Sequence, residues 1–142
     1  TLVSSGTNQN YQKPSVIAIL LTEGQVIQLV NNTGLFCYPI PSPIDANSNY
    51  LVGFLSAILP DQSETSRYDL KTMDRDGSNQ RKLYPGEGIL GLSPQLIEWS
   101  PDWQHDHFLA ALSENNMILI DTTTGAIKKV TGDGSVSKLD WK

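Results

Sequence analysis

Ile17-Ala-Ile-Leu-Leu-Thr-Glu-Gly-Gln-Val-Ile-Gln-Leu-Val-Asn-Asn-Thr-Gly34 aligns without a gap on Phe108-Leu-Ala-Ala-Leu-Ser-Glu-Asn-Asn-Met-Ile-Leu-Ile-Asp-Thr-Thr-Thr-Gly125. Apolar positions fall opposite apolar ones, and Glu23 falls opposite Glu114. Two apolar runs around a short polar centre are the pattern of a β-hairpin. A third copy lies between them. Leu70-Lys-Thr-Met-Asp-Arg-Asp-Gly-Ser-Asn-Gln-Arg-Lys-Leu-Tyr84 pairs with residues 117–131, so that Met73-Asp74 meets Ile120-Asp121 and Arg81-Lys82-Leu83 meets Lys128-Lys129-Val130. The turn glycines Gly34, Gly77 and Gly125 are spaced by 43 and 48 residues. Strand-built repeats with a period in the forties predict an all-β chain of β-propeller blades, each of four antiparallel strands. Three units are fewer than the four to eight of typical closed propellers, so the expected ring is incomplete.

Working outward, residues 1–14 are polar and read as an N-terminal linker or a degenerate strand. The partial propeller occupies 15–142, with blades at about 15–41, 42–90 and 91–131 and the start of a further blade at 136–142. In the first blade, strands are expected at 15–21, 25–30 and 35–38. Pro39, Pro41 and Pro43 lie in a connection, because proline cannot donate to a sheet ladder. The second blade has strands at 50–58, 68–74 and 79–83, its first hairpin lengthened by a polar loop at 59–66. The third has strands at 96–100, 108–112, 117–121 and 126–130, with Asn115-Asn116 and Thr124-Gly125 as turns. Leu139-Asp140-Trp141 repeats Ile97-Glu98-Trp99 at a distance of 42 residues.

The chain has 142 residues, of which 18% are charged and 39% hydrophobic, with 11 Gly and 8 Pro. That balance suits many short strands and turns. A net charge of −5, with no Lys/Arg run longer than two, argues against a nucleic-acid or anionic-membrane surface. No apolar run reaches transmembrane length, so no membrane insertion is expected. A single cysteine, Cys37, allows no disulfide within the chain and no cysteine-based zinc site. It is read as a small core hydrophobe.

The motif set resembles the repeats of TolB-type β-propellers. Trp99-Ser100-Pro101-Asp102 is similar to that family's Trp-Ser-Pro-Asp-Gly turn, with Trp103 in place of the glycine. Asp74-Arg-Asp-Gly-Ser-Asn79, followed by Arg81-Lys82-Leu83, resembles its second motif. So does Asp121-Thr-Thr-Thr-Gly125, followed by Lys128-Lys129-Val130-Thr131. Ser42-Pro43 stands where Ser100-Pro101 would repeat, without a preceding Trp. The resemblance is carried mainly by residues 68–141 and marks fold far more than function. It implies an extracytoplasmic protein, periplasmic or secreted. Independently, Trp99 and Trp141 stand where an inner strand ends. A large aromatic there would wedge between blades and remove on the order of 200 Å² from water. Arg81-Lys82 and Lys128-Lys129 fall on outermost strands, where charge discourages edge pairing.

Candidate chemistry is sparse. The Asp74–Asn79 segment looks like a calcium loop, but its twelfth position is Pro85 where a bidentate Glu belongs, so it reads as a turn. His105-Asp106-His107, with Asp102 nearby, lacks a third convergent ligand. Gly86-x-Gly88-x-x-Gly91 precedes no helix and reads as a loop. No nucleophile elbow occurs. Asn31-Asn32-Thr33 is a glycosylation sequon. No catalytic residue, metal site or cofactor is therefore expected.

The reading is a non-enzymatic propeller serving as a protein-binding scaffold. Its contacts are placed on the long hairpin loop, at Asp61, Glu64 and Arg67, and on the loop carrying Trp103, His105 and His107. The alternatives are an accessory propeller of a prolyl-oligopeptidase-like hydrolase and a carbohydrate-binding propeller. Two arrangements are open: the chain is part of a longer propeller, with its C-terminal segment unpaired, or copies associate to complete a ring, with that segment pairing with the strand at 15–21 of another copy.

Overall fold

The computed structural model describes residues 2–8, 13–102 and 107–142, the first of these as backbone. Its strands are β1 (Leu2–Asn8), β2 (Lys13–Leu20), β3 (Gln25–Asn31), β4 (Ile40–Pro41), β5 (Leu51–Ala57), β6 (Tyr68–Asp74), β7 (Arg81–Tyr84), β8 (Glu98–Trp99), β9 (Phe108–Ser113), β10 (Asn116–Asp121) and β11 (Ile127–Lys129). One turn of 3-10 helix, Pro60–Gln62, is the sole helical element among the described residues. None of their helices is long and apolar enough to cross a membrane. The strands make three antiparallel sheets, ordered β1-β2-β3, β4-β5-β6-β7 and β8-β9-β10-β11.

The second sheet lies between the other two, and its sequence explains why. Side chains alternate across a strand, and β5 is apolar on both faces. Val52 and Phe54, with Met73, pack on Val16 of the first unit and on Cys37. Leu55 and Ala57, with Tyr68 and Leu70, pack on Ile97, Trp99, Leu109, Ala111, Ile118 and Ile120 of the third. Each fully buried Leu, Ile or Phe contributes about 1.5–3 kcal/mol. Trp99 is the wedge between the second and third sheets. Its Nε1 donates to the Ile40 carbonyl at 3.0 Å. Gly53 makes room for the ring: a Cβ there would stand 2.8 Å from Ile97 Cδ1 and 3.1 Å from Trp99 Cζ2. The third sheet is tied on at its far edge too, because Arg81 Nη1 donates to the Thr122 carbonyl at 2.8 Å. Arg81 is therefore a cross-sheet link as well as an edge charge.

The second and third sheets open with the same edge pairing. Ile40 pairs with Gly53 and Pro41 with Val52, while Glu98 pairs with Ala110 and Trp99 with Leu109. The next residue is serine in both: Ser42 N donates to Leu51 O at 2.8 Å, and Ser100 N to Phe108 O at 2.9 Å. Proline at an edge loses no ladder bond that matters. The Pro39–Pro43 segment is therefore not only a connection, since Ile40–Pro41 is the edge strand of the second sheet.

The first unit is built differently from the expectation. The strand β2 begins beside the loop after β5, where Lys13 Nζ lies 3.6 Å from Asp61 Oδ1. It ends beside the turn after β6, where Ala18 and Leu20 share a groove with Arg75 and Asp76. It thus runs with β6, not with β5. The matching trio is β1-β2-β3 with β5-β6-β7 and β9-β10-β11. Gly24, not Gly34, is then the counterpart of Gly77 and Gly125. All three have positive φ, at 66°, 86° and 78°. Gly24 N donates to Leu20 O and Gly125 N to Asp121 O, both at 2.7 Å, while Gly77 N donates to Asp74 O at 2.9 Å. Gly34 lies at the other end, where a Cβ would stand 2.6 Å from Ala57 Cβ.

Residues 2–8, expected within a linker or degenerate strand, are a seven-residue strand. Residues 35–38 are not a fourth strand of the first unit. They run along β5, with Leu55 N donating to Cys37 O at 2.7 Å, which moves the boundary at 41/42 back into the 33–41 segment. The β9–β10 turn centres on Glu114-Asn115, both at positive φ, and Asn116 opens β10. Leu139, Asp140 and Trp141 lie in no strand.

Candidate functional site: a polar cleft at one end of the stack

In an antiparallel sheet, the loop between the first and second strands shares an end with the loop between the third and fourth. The β4–β5 loop and the β6–β7 turn therefore meet, and the residue leading into β9 joins them. They enclose a cleft of about 490 Å³ lined by Asp45, Asn49, Tyr50, Leu51, Asp74, Arg75, Asp76 and His107.

Each wall is shaped by local hydrogen bonding. Asp45 Oδ1 accepts from Asn47 N and Asn49 N, both at 2.8 Å. This Asx turn holds Ser48 at a φ of 61°. Asp74 Oδ2 accepts from Asn79 Nδ2 at 2.6 Å. Asp76 Oδ1 accepts from Ser78 N at 3.0 Å and from the Ser78 hydroxyl. Those two bonds, the hydroxyl's first, hold the Asp76 carboxyl below its ordinary range. Arg75 Nη1 reaches the Ser48 carbonyl at 3.5 Å, bridging the two loops. His107 is fixed through its carbonyl, which accepts from Thr122 N and Thr122 Oγ1, both at 2.8 Å. Its imidazole also acts on neighbouring Asp121. Burial pushes the Asp121 carboxyl up. The Thr123 and Thr124 amides, the Thr124 hydroxyl and His107 more than offset this, so its pKa is lowered.

The residues lining the cleft thus include three Asp against one Arg and one His, together with Tyr50. Such a surface accepts hydrogen bonds and attracts a cationic group. Among the described residues, no three His, Cys, Asp or Glu side chains are placed to share a metal ion.

The contact residues named from sequence separate. Of these, His107 lines the cleft. Trp103 and His105 lie outside the described residues. Asp61, Glu64 and Arg67 are exposed on the β5–β6 loop at the opposite end, roughly 20 Å away along a seven-residue strand. That loop is a compact structure. Ser66 Oγ accepts from Leu59 N at 2.9 Å, the Tyr68 hydroxyl donates to Ser63 O at 2.8 Å, and Arg67 Nη1 donates to Ser93 Oγ at 2.8 Å. Sequence reasoning missed Asp45, Asn49, Tyr50 and Arg75. The signal was present: Asp45-Ala-Asn-Ser-Asn49 is an Asx-turn string, and strand order alone puts it beside Asp74–Asp76.

Comparison with protein-family models, with curated proteins and with solved structures finds no match for this chain.

Proposed function

We propose that the chain is part of a β-propeller scaffold of the TolB-like kind that binds a protein partner without catalysis. Its recognition face is the end bearing the cleft, and an extracytoplasmic location fits the same resemblance. The observation that carries the reading is the convergence of loops from two sheets on one cleft with an excess of carboxylates. Rigid sheets that present loops from a shared end suit recognition. The charge balance selects a partner that inserts a Lys or Arg side chain, and the Tyr50 ring offers that side chain an apolar flank.

The test is selection of binders from a displayed peptide library, followed by affinity measurement on variants. Enriched peptides should carry a basic residue. Asp74→Asn with Asp76→Asn should weaken them at least tenfold without changing the circular dichroism spectrum, whereas Asp61→Asn should leave them unchanged. Enriched peptides that ignore the Asp74/Asp76 pair, or that lack any basic preference, would overturn the proposal.

A further inference from the structure

Each of the second and third sheets opens with a two-residue strand on the edge of the strand equivalent to β1. Among the described residues the first sheet has none, and β1 pairs with β2 alone. The chain holds one more copy of the missing strand: Leu139-Asp140-Trp141 repeats Ile97-Glu98-Trp99, yet it belongs to no sheet.

We propose that the 139–141 segment of one copy adds to the free edge of β1 in a second copy. The repeat fixes the register. Ala110 pairs with Leu119 and Val3 with Ala18, and Leu119 and Ala18 hold equivalent places two residues before Asp121 and Leu20. Glu98 lies opposite Ala110 and Trp99 opposite Leu109. Asp140 therefore falls opposite Val3, and Trp141 opposite Leu2. Chain reach decides between the same copy and another. Val136 N donates to Asn115 O at 2.9 Å, and Gly134 N to Asn116 Oδ1 at 2.9 Å, anchoring the segment at the β9–β10 turn. Three further residues extend roughly 10 Å. Rising from the β9–β10 turn to the level of Ala111, the counterpart of Ser4 in the same register, takes up most of that length, and too little is left to pass the second sheet, which lies between the third and the first. The strand at 15–21, named from sequence as the acceptor, is excluded. It is β2, and both its edges are filled.

This inference does not depend on the cleft. Two chains with different tags, each gaining one cysteine, test it: Val3→Cys in one and Asp140→Cys in the other, mixed under mild oxidation. Cys37 is buried and is left in place. A disulfide between the two tags is expected, and none when Glu64→Cys replaces Val3→Cys. An excess of a peptide spanning residues 137–142, which requires no variant to fold, should suppress the crosslink and dissociate the wild-type assembly in sedimentation. Any of three results would overturn the proposal: a wild-type monomer at about 50 µM, a crosslink confined to one chain in the Val3→Cys/Asp140→Cys double variant, or association that the peptide leaves unchanged.

Discussion

Truncating Trp99 to alanine should cost about 4 kcal/mol of stability. Its side chain is 6% exposed and fills the space between the second and third sheets, against Ile97 and Gly53. Removing roughly 200 Å² of buried aromatic surface at about 25 cal/mol per Å² sets an upper figure near 5 kcal/mol. Truncations of this kind measure about 3–5 kcal/mol. The lost Nε1 bond to Ile40 adds little, because that carbonyl sits on an edge strand that water can reach. Trp99→Phe keeps most of the ring and should cost about 1–2 kcal/mol. Against a total of about 5–15 kcal/mol for a small domain, the alanine variant should be close to unfolding. Urea titration followed by far-UV circular dichroism suits the measurement, since fluorescence would change with the residue removed. Protein concentration must be held fixed, because association would contribute to apparent stability. A cost below about 1 kcal/mol with an unchanged m-value would refute the wedge.

Further outcomes are expected. Gly77→Ala should destabilise by more than about 2 kcal/mol, since its φ is 86° and a Cβ would stand 3.0 Å from the Leu29 carbonyl. Gly24→Ala, at a φ of 66° with nothing within 4 Å, should cost only about 1 kcal/mol in the same urea assay. Equal costs at the two sites would contradict the contact with Leu29. Acid sensitivity should trace partly to Asp121, whose pKa is lowered in the folded chain. The stability it contributes is fully present above its unfolded pKa near 3.9 and is lost as pH falls through the lower folded value. Asp121→Asn should therefore flatten the stability profile below about pH 4, read by thermal unfolding across pH. Arg81→Ala should cost about 1 kcal/mol through the lost Thr122 carbonyl bond, and the loss should disappear if the third sheet is already detached by Trp99→Ala.

The second and third units were legible because their signals are local. Met73-Asp74 and Ile120-Asp121 close strands in both, and Gly77 and Gly125 supply the positive φ that the following turns require. Ile97-Glu98-Trp99 could be read as an inner strand from a single aromatic before Ser-Pro. The first unit misled for a physical reason. Its apolar runs, Val16–Leu20 and Val26–Val30 broken only at Gln28, do not alternate cleanly, so a hairpin pattern fits at more than one register. The four-residue turn at 21–24 and the register shift between Val16 and Ile17 then displace the true pairing from the gapless one. Residues 2–8 are small and polar enough to pass for linker, and only pairing with β2 makes them a strand. The cleft was invisible for another reason. Asp45, Tyr50, Arg75 and His107 come from three separate loops, and only strand direction brings them together.

The central proposal is that the three sheets are successive blades, turned about one axis on the side of β1, β4 and β8. Pulsed electron–electron distance measurements test it directly. One spin-label pair is placed at Gln25 and Lys128 on the outer strands of the first and third sheets, and a second at Ser4 and Glu98 on the inner ones, each with Cys37→Ala. Blades turned about a common axis predict that the outer distance exceeds the inner by more than about 10 Å, given strands spaced about 4.8 Å apart. Equal outer and inner distances, near the roughly 20 Å of two flat sheet packings, would contradict it.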